Sequence, residues 1–242
     1  MFAALAKAFA QLDDGRLQRI LLWSVGLALA ILLGLGVALW FGIAQFHLFS
    51  WSWLEKAFEI GSGLVIAILL WLLFPAAVSA TIGLFLEGVA GAVEARHYPG
   101  LPPPRPQPIR EALWSGLKFA LVAILLNLAA LLVYLIFTLF LLPFLNPFVF
   151  YGLNGYLFGR EYYETVALRR LDANQAGELR RRNSGRIFLG GVVIMLMLTV
   201  PILNLIAPVI ATAFMVHIFE SIRRGETPTS GYAYQKKKPE FR

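Results

Sequence analysis

Long uncharged apolar runs constrain this chain more than any other feature of its sequence. The first run covers residues 20–45, which is 26 residues without a charged side chain. As a helix it would measure roughly 39 Å, and about 20 apolar residues are enough to cross the hydrocarbon core of a bilayer. A second run lies within residues 60–97. Only 14% of the chain is charged, whereas soluble domains carry about 25%. The sequence therefore predicts an all-α integral membrane protein.

A tetrapeptide Pro-x-x-Asn occurs twice, 58 residues apart, each time inside an apolar run. Proline removes a backbone donor and clashes with the preceding turn, so each copy should break its helix. Two such interruptions in corresponding positions favour the working part of a transporter, and the alternative is a pair of ordinary turns between core helices. The residues of these tips are Pro143, Asn146, Pro147, Pro201, Asn204 and Pro208. Helix capping and direct substrate contact are equal alternatives for the two asparagines.

The lengths of the arms around the tips, together with the charges, predict the topology. The return arm of the first unit, 148–159, has 12 residues and both arms of the second unit have 14 or fewer, too short to cross. Every connection except 46–60 is rich in Lys and Arg, so the positive-inside rule places those connections and both termini in the cytoplasm. We predict two long transmembrane helices, at about 20–45 and 60–97, and two re-entrant helical hairpins, at about 116–160 and 186–221.

The remaining segments complete a single membrane domain, residues 1–223. Residues 2–12 have the spacing of an amphipathic helix, which we expect to lie on the membrane surface. The polar tail, 224–242, is expected to be cytoplasmic and disordered.

No arrangement of residues in the sequence indicates an enzyme. Cysteine is absent, the three histidines (His47, His97 and His217) have no metal-ligand spacing, and no nucleotide-binding glycine motif occurs. Basic stretches interleaved with aromatics, as in nucleic-acid binders, are also missing. We expect no cofactor, no metal, no nucleic-acid partner and no catalysis.

Charged residues near the apolar runs are the candidates for function. Glu87 and Glu94 are seven residues apart and share a helical face, and Arg96 lies close by. Charge near the hydrocarbon marks a pathway or a subunit pair, and the alternative is a solvated helix end. Arg16 and Arg19 precede the first run, where they would either bind an anion or extend towards lipid phosphates.

These features resemble the CysZ family of bacterial inner-membrane sulfate permeases. The resemblance rests on Gly15-Arg-Leu-Gln-Arg19, on Phe85 with Glu94-Ala-Arg96, and most of all on the second hairpin, 200–209, with Ala213-Phe-Met. It implies sulfate uptake for cysteine synthesis without an ATPase. It also implies two long transmembrane helices with helix pairs that penetrate part of the bilayer, and a dimer-based homo-oligomer, such as a hexamer.

The resemblance further implies a sulfate site at Gly15, Arg16 and Arg19, with Glu87, Glu94 and Arg96 along the route. Family members have Gly-Leu-Arg before the first span, whereas here Gln18 separates Leu17 from Arg19, so the spacing differs. Two rival hypotheses remain, a non-transporting membrane scaffold or assembly protein and a transporter of another solute.

Overall fold

The computed structural model describes residues 1–44 and 52–225, and within those ranges all regular secondary structure is helical. The predicted all-α class is therefore confirmed. In chain order the helices are α1 (Phe2–Ala10), α2 (Gly15–Ala44), α3 (Ser52–Gly83), α4 (Leu86–His97), α5 (Ile109–Leu139), α6 (Asn146–Ala167), α7 (Ala173–Arg182), α8 (Ser184–Thr199), α9 (Pro201–Asn204) and α10 (Ala207–Gly225). Most of the predicted tail, from residue 226 onwards, and the end of the first predicted span at residue 45 lie outside the described residues.

Three helical stretches among the described residues are long and apolar enough to cross a membrane. They are Gly15–Ile43 in α2, Lys56–Phe74 in α3 and Ile109–Leu139, the whole of α5. The shorter apolar helix α8, Ser184–Thr199, has 16 residues. The first two stretches overlap the two predicted spans, 20–45 and 60–97, and begin four or five residues earlier. The third stretch, α5, contains the first arm of the predicted first hairpin. It begins at Ile109, whereas the hairpin was predicted to begin at about residue 116.

The helices α2 and α3 pack side by side in opposite directions. Near one end the Thr81 hydroxyl donates a hydrogen bond of 2.9 Å to the Ser24 carbonyl. Further along, a Cβ added at Gly36 would lie 2.7 Å from Leu70, and one added at Gly63 would lie 2.7 Å from Trp40. Small residues let the two helices approach closely. The start of α2 and the end of α3 therefore lie on the same side.

The segment predicted as one span to residue 97 is two helices. α3 ends at Gly83, and the Leu84 and Phe85 amides donate to the carbonyls of Thr81 and Ile82, three residues back. Such bonds tighten the last helical turn and end it. The second helix, α4, is thereby free to pack in a new direction against α10 and α6.

Both Pro-x-x-Asn copies break their helices as predicted. α5 ends at Leu139, Leu141 has a positive φ of 59°, and Pro143–Leu145 forms a 3-10 turn before α6. α8 ends at Thr199, and Pro201 opens the one-turn helix α9 before α10. Proline is well suited to the first turn of a helix because its missing N–H would be unpaired there anyway.

Asn146 does not cap α6, so that alternative is wrong for this residue. Its backbone is already helical, with φ −56° and ψ −40°, whereas a capping residue needs an extended backbone. The position before it, Leu145, provides no side-chain cap. The Asn146 amide instead lies 3.5 Å from the Thr138 hydroxyl across the turn. Asn204 ends α9, three residues before α10 begins.

The two hairpins meet where α6 and α8 cross through glycines. A Cβ added at Gly191 would overlap the carbonyl oxygen of Gly155 and lie 2.6 Å from the Gly159 Cα, and a Cβ added at Gly159 would lie 2.6 Å from the Ile187 carbonyl oxygen. The two backbones are therefore in direct contact. α10 lies against this pair, and its side chains form the largest part of the core, including Phe214, Met215 and Phe219.

The charged ends of both hairpins lie on one side of the molecule. Arg186, near the start of α8, bonds Ser221 near the end of α10 at 2.8 Å, and Ser115 in α5 lies 3.5 Å from Glu164 in α6. Each hairpin therefore returns to the side on which it starts. The amphipathic helix α1 packs on α10 at this side, with Ala8 buried and Phe2 exposed.

Replacing Gly191 by alanine should destabilise the fold by about 1–3 kcal/mol, because the methyl group would overlap backbone that cannot move without separating α6 from α8. The measurement is the thermal unfolding midpoint in detergent. Gly152→Ala is the matched control, since a Cβ at Gly152 in α6 would meet nothing within 4 Å. Equal thermal unfolding midpoints for the Gly191 and Gly152 variants would contradict the close contact between α6 and α8.

Candidate functional site

The predicted anion site lies at the start of α2, on the charged side. The Asp14 carboxylate accepts a hydrogen bond of 2.8 Å from the Arg16 amide, and its other oxygen lies 3.6 Å from Arg96 in α4. The side chains of Arg16 and Arg19 are exposed, as is Gly15. Residues three apart on a helix are neighbours, so the two guanidinium groups share one face. The structure thus brings Gly15, Arg16, Arg19 and Arg96 to the same corner.

The acidic residues of α4 differ in burial although they share a face. Glu94 is buried, whereas Glu87, two turns earlier, is exposed. Gly91 lies between them, and a Cβ there would be 3.5 Å from the Arg169 guanidinium. Both carboxylates therefore face the end of α6, and only Glu94 is covered by it.

Glu94 is held by two arginines that sequence reasoning missed. Arg169 Nη2 and Arg170 Nη2 lie 3.0 Å and 2.6 Å from Glu94 Oε2, and the two Nε atoms lie 3.5 Å and 3.3 Å from Oε1. The side chains of Arg169, Arg170 and Glu94 are only 10%, 6% and 7% exposed. The sequence carries no local signal for this cluster because the partners are 75 and 76 residues apart. One carboxylate between two guanidinium groups leaves one positive charge in excess.

The proline-rich linker between α4 and α5, residues 101–108, covers this cluster from outside. Arg170 donates to the Pro102 carbonyl, and the Arg105 amide donates to the Arg169 carbonyl at 2.9 Å. Arg105 itself pairs with Glu111 at the start of α5, at 2.5 Å. The linker therefore carries a third arginine to the same region.

A cavity of about 880 Å³ opens beside the cluster. Its polar lining consists of Glu87, Arg105, Gln107 and Arg169, and the rest is formed by residues of α5, by two prolines of the 101–108 segment and by Leu168. Ligand pockets commonly have volumes of about 300–1,000 Å³. One face of the buried cluster, that of Arg169, is thus accessible to a small polar ligand.

Two of the three histidines, separate in sequence, meet at the same side of the molecule. Tyr98 shares a hydrogen bond of 2.8 Å with His217 Nδ1, and the rings of His97 and His217 are 4.9 Å apart, edge to face. Arg224 lies over the Tyr98 ring at 4.7 Å. Among the described residues, no group of three or more His, Cys, Asp or Glu side chains is placed to hold a metal ion.

The hairpin tips lie at the opposite end from all of these charges. Since α6 and α8 are antiparallel and cross at Gly155 and Gly191, the start of α6 and the end of α8 are neighbours. Pro143, Pro147 and Pro201 are exposed, Asn146 and Asn204 are half-buried, and Pro208 is buried at the start of α10. The predicted site residues thus form two groups, one at each end of the hairpins.

The regular structure of the described residues is all helical, and three of their helices are apolar and long enough to span a bilayer, so the chain is a membrane protein. A family model described as sulfate transporter CysZ/etoposide-induced protein 2.4 matches residues 4–208. The chain belongs to this family, and the resemblance found in the sequence is confirmed. The match covers both proline-broken hairpins as far as Pro208.

A search of curated proteins found no match to this chain. A search of solved structures also found none.

Replacing Glu94 by glutamine should destabilise the protein by about 3–5 kcal/mol, because it leaves two buried guanidinium groups without a counter-charge. The unfolding midpoint in detergent measures this. Glu178→Gln is the control, since the Glu178–Arg182 pair is exposed and such pairs contribute about 0–1 kcal/mol. A Glu94 variant as stable as the control would show that the cluster does not stabilise the fold.

Proposed function

We propose that this protein takes up sulfate across the bacterial inner membrane and so supplies cysteine synthesis. The description of its family as a sulfate transporter supports the substrate. The proposal includes no enzymatic step and no ATPase, so the driving force would be an ion gradient or the consumption of sulfate inside the cell.

The observation that carries the proposal is the excess positive charge of the Glu94 cluster beside the cavity. Sulfate is a dianion with a tetrahedral set of oxygens, and guanidinium groups recognise such oxyanions through paired charge-assisted hydrogen bonds. Arg169 lines the cavity while Glu94 already shares its charge with Arg170. A carboxylate near the arginines weakens the hold on a dianion, which a translocating protein needs in order to release its substrate.

The start of α2 would be the first contact for sulfate. Arg16 and Arg19 have no ion pair with the described residues, and they follow the N-terminus of a 30-residue helix. The dipole at such an end favours anions, and the Asp14 carboxylate already accepts a hydrogen bond from the Arg16 amide there. The ion would then pass Arg96 and the cavity near Arg169 and Glu87, and the Pro-Asn tips would shape the far end of the route.

The proposed arrangement in the membrane follows from the side on which charge collects. With that side cytoplasmic, both termini are cytoplasmic, α2 and α3 cross the bilayer, and the two hairpins enter it and return. The α5 helix leaves many large apolar side chains exposed, including Leu121, Leu128 and Leu135. This exposure supports contact with lipid and with further copies in a dimer-based homo-oligomer, such as a hexamer.

Arg169→Gln should abolish most sulfate uptake by proteoliposomes while leaving the protein folded. Glu94 and Arg170 would remain as a neutral pair, so the variant removes the excess charge without leaving an unpaired one. The measurement is uptake of radiolabelled sulfate, with phosphate, selenate and chloride as competitors. Arg181→Gln is the control, because Arg181 is exposed on α7. Uptake by the Arg169 variant at the wild-type rate would remove this cluster from the route.

An Arg16→Ala/Arg19→Ala double variant should weaken sulfate binding, because the variant lacks the two basic side chains of the first contact. Calorimetry in detergent at low salt measures the loss. The two arginines are exposed and have no ion pair with the described residues, so unchanged stability is expected. Sulfate binding unchanged in the double variant, or absent from the wild-type protein, would contradict the proposal.

A further inference from the structure

A second cleft, of about 310 Å³, lies between the middle of α6, the end of α7 and the start of α8. Its polar lining is Arg160, Arg180, Ser184 and the backbone of Gly185, and Tyr156 and Phe188 contribute aromatic rings. None of these residues belongs to the Glu94 cluster or to the larger cavity. The cleft therefore requires its own explanation.

Both arginines of the cleft share a single carboxylate, that of Glu164, as their counter-charge. Arg160 Nε bonds Glu164 Oε1 at 2.9 Å, whereas Arg180 Nε lies 3.8 Å from the same oxygen and makes no hydrogen bond although it is buried. Within the described parts of the chain, no acceptor bonds the terminal nitrogens of either guanidinium group. The cleft thus has one positive charge in excess and several N–H donors without a protein partner.

The start of α8 adds backbone donors to this charge. This helix has 16 residues, and the residue before it, Asn183, makes no side-chain cap. A Cβ added at Gly185 would meet nothing within 4 Å, so a ligand can approach the backbone there. Free N–H groups and the dipole of the helix both favour an anion at this point.

The cleft lies at the level where the helices change from apolar to charged. Arg160 is the first charged residue after the 12 apolar-rich residues 148–159, and Ile187 begins the apolar part of α8. Tyr156 and Phe188 are 39% and 37% exposed. Aromatic and basic side chains in this position are typical of the layer occupied by lipid headgroups.

We propose that this cleft binds a phosphate group, presented by the headgroup of an anionic phospholipid or as free phosphate. The position of the cleft at the boundary between apolar and charged helix segments favours the lipid headgroup over free phosphate. Two guanidinium groups, the helix N-terminus and the Ser184 hydroxyl supply donors to the phosphate oxygens, while Tyr156 and Phe188 contact the glycerol and acyl region. A bound lipid would thereby join the two hairpins on their charged side.

The test measures binding to the full-length protein in neutral detergent by native mass spectrometry, with phosphatidylglycerol, phosphatidylcholine and inorganic phosphate as probes. Phosphatidylglycerol should bind, and Arg180→Gln should weaken it about tenfold, the effect of losing one charge-assisted hydrogen bond. Gly185→Leu should weaken it as well, because the side chain fills the cleft without changing its charge. Arg181→Gln, an exposed neighbour, should bind as the wild type does.

The results distinguish a lipid headgroup from free phosphate as the ligand, or they show that the cleft is not a phosphate site. Inorganic phosphate binding that is lost in both cleft variants supports the site with free phosphate as its ligand. Equal binding of the two lipids, or unchanged binding by Arg180→Gln, overturns it. Sulfate that displaces phosphatidylglycerol at equal concentration would assign the cleft to the sulfate route and overturn it as a separate site.

Discussion

The contact between the backbones of α6 and α8 is the interaction on which the arrangement of this molecule depends. Gly155, Gly159 and Gly191 leave no side chain between the two helices, so they approach more closely than any larger residues permit. Each of the two helices belongs to a different proline-broken hairpin. Their antiparallel crossing fixes both tips at one end and the charged ends of both hairpins at the other, and α10 then packs against the pair.

The charged side that results is built from shared carboxylates. Glu94 pairs with Arg169 and Arg170, Glu164 with Arg160 and Arg180, and Glu220 with Arg223 and Arg224. In each group two guanidinium groups surround one acid. Single pairs would be neutral, whereas this two-to-one pattern leaves positive charge, which at Arg169 and at Arg180 lies beside a cavity. The pattern fits a protein that handles oxyanions near phosphate headgroups.

The two charged clefts differ in what surrounds them, and that difference separates their proposed ligands. The cavity beside Arg169 is bounded by the proline-rich segment and the start of α5, and it also contains the carboxylate of Glu87. The cleft beside Arg180 is bounded by a helix N-terminus and by aromatic rings at the edge of the apolar arms. A mobile dianion suits the first setting, where repulsion by Glu87 aids release, and a lipid phosphate suits the second.

The sequence by itself determined the class of the protein, because an apolar run of about 20 residues has few stable environments other than a bilayer. It also determined the two breaks at Pro143 and Pro201, since proline acts on its own helix whatever packs around it. Arg16 and Arg19 before α2 were identified on the same local grounds, and Gly15 was added by the family resemblance.

Only the tertiary structure decided which charges are buried together. Arg169 and Arg170 count in the sequence as part of a basic connection, and their partner Glu94 is 75 residues away, so no local pattern joins them. The same holds for His97 with His217 and for Gly155 with Gly191. Electrostatic pairing and close backbone contact depend on distance in space, and that distance is set by how the hairpins pack and not by the order of residues along the chain.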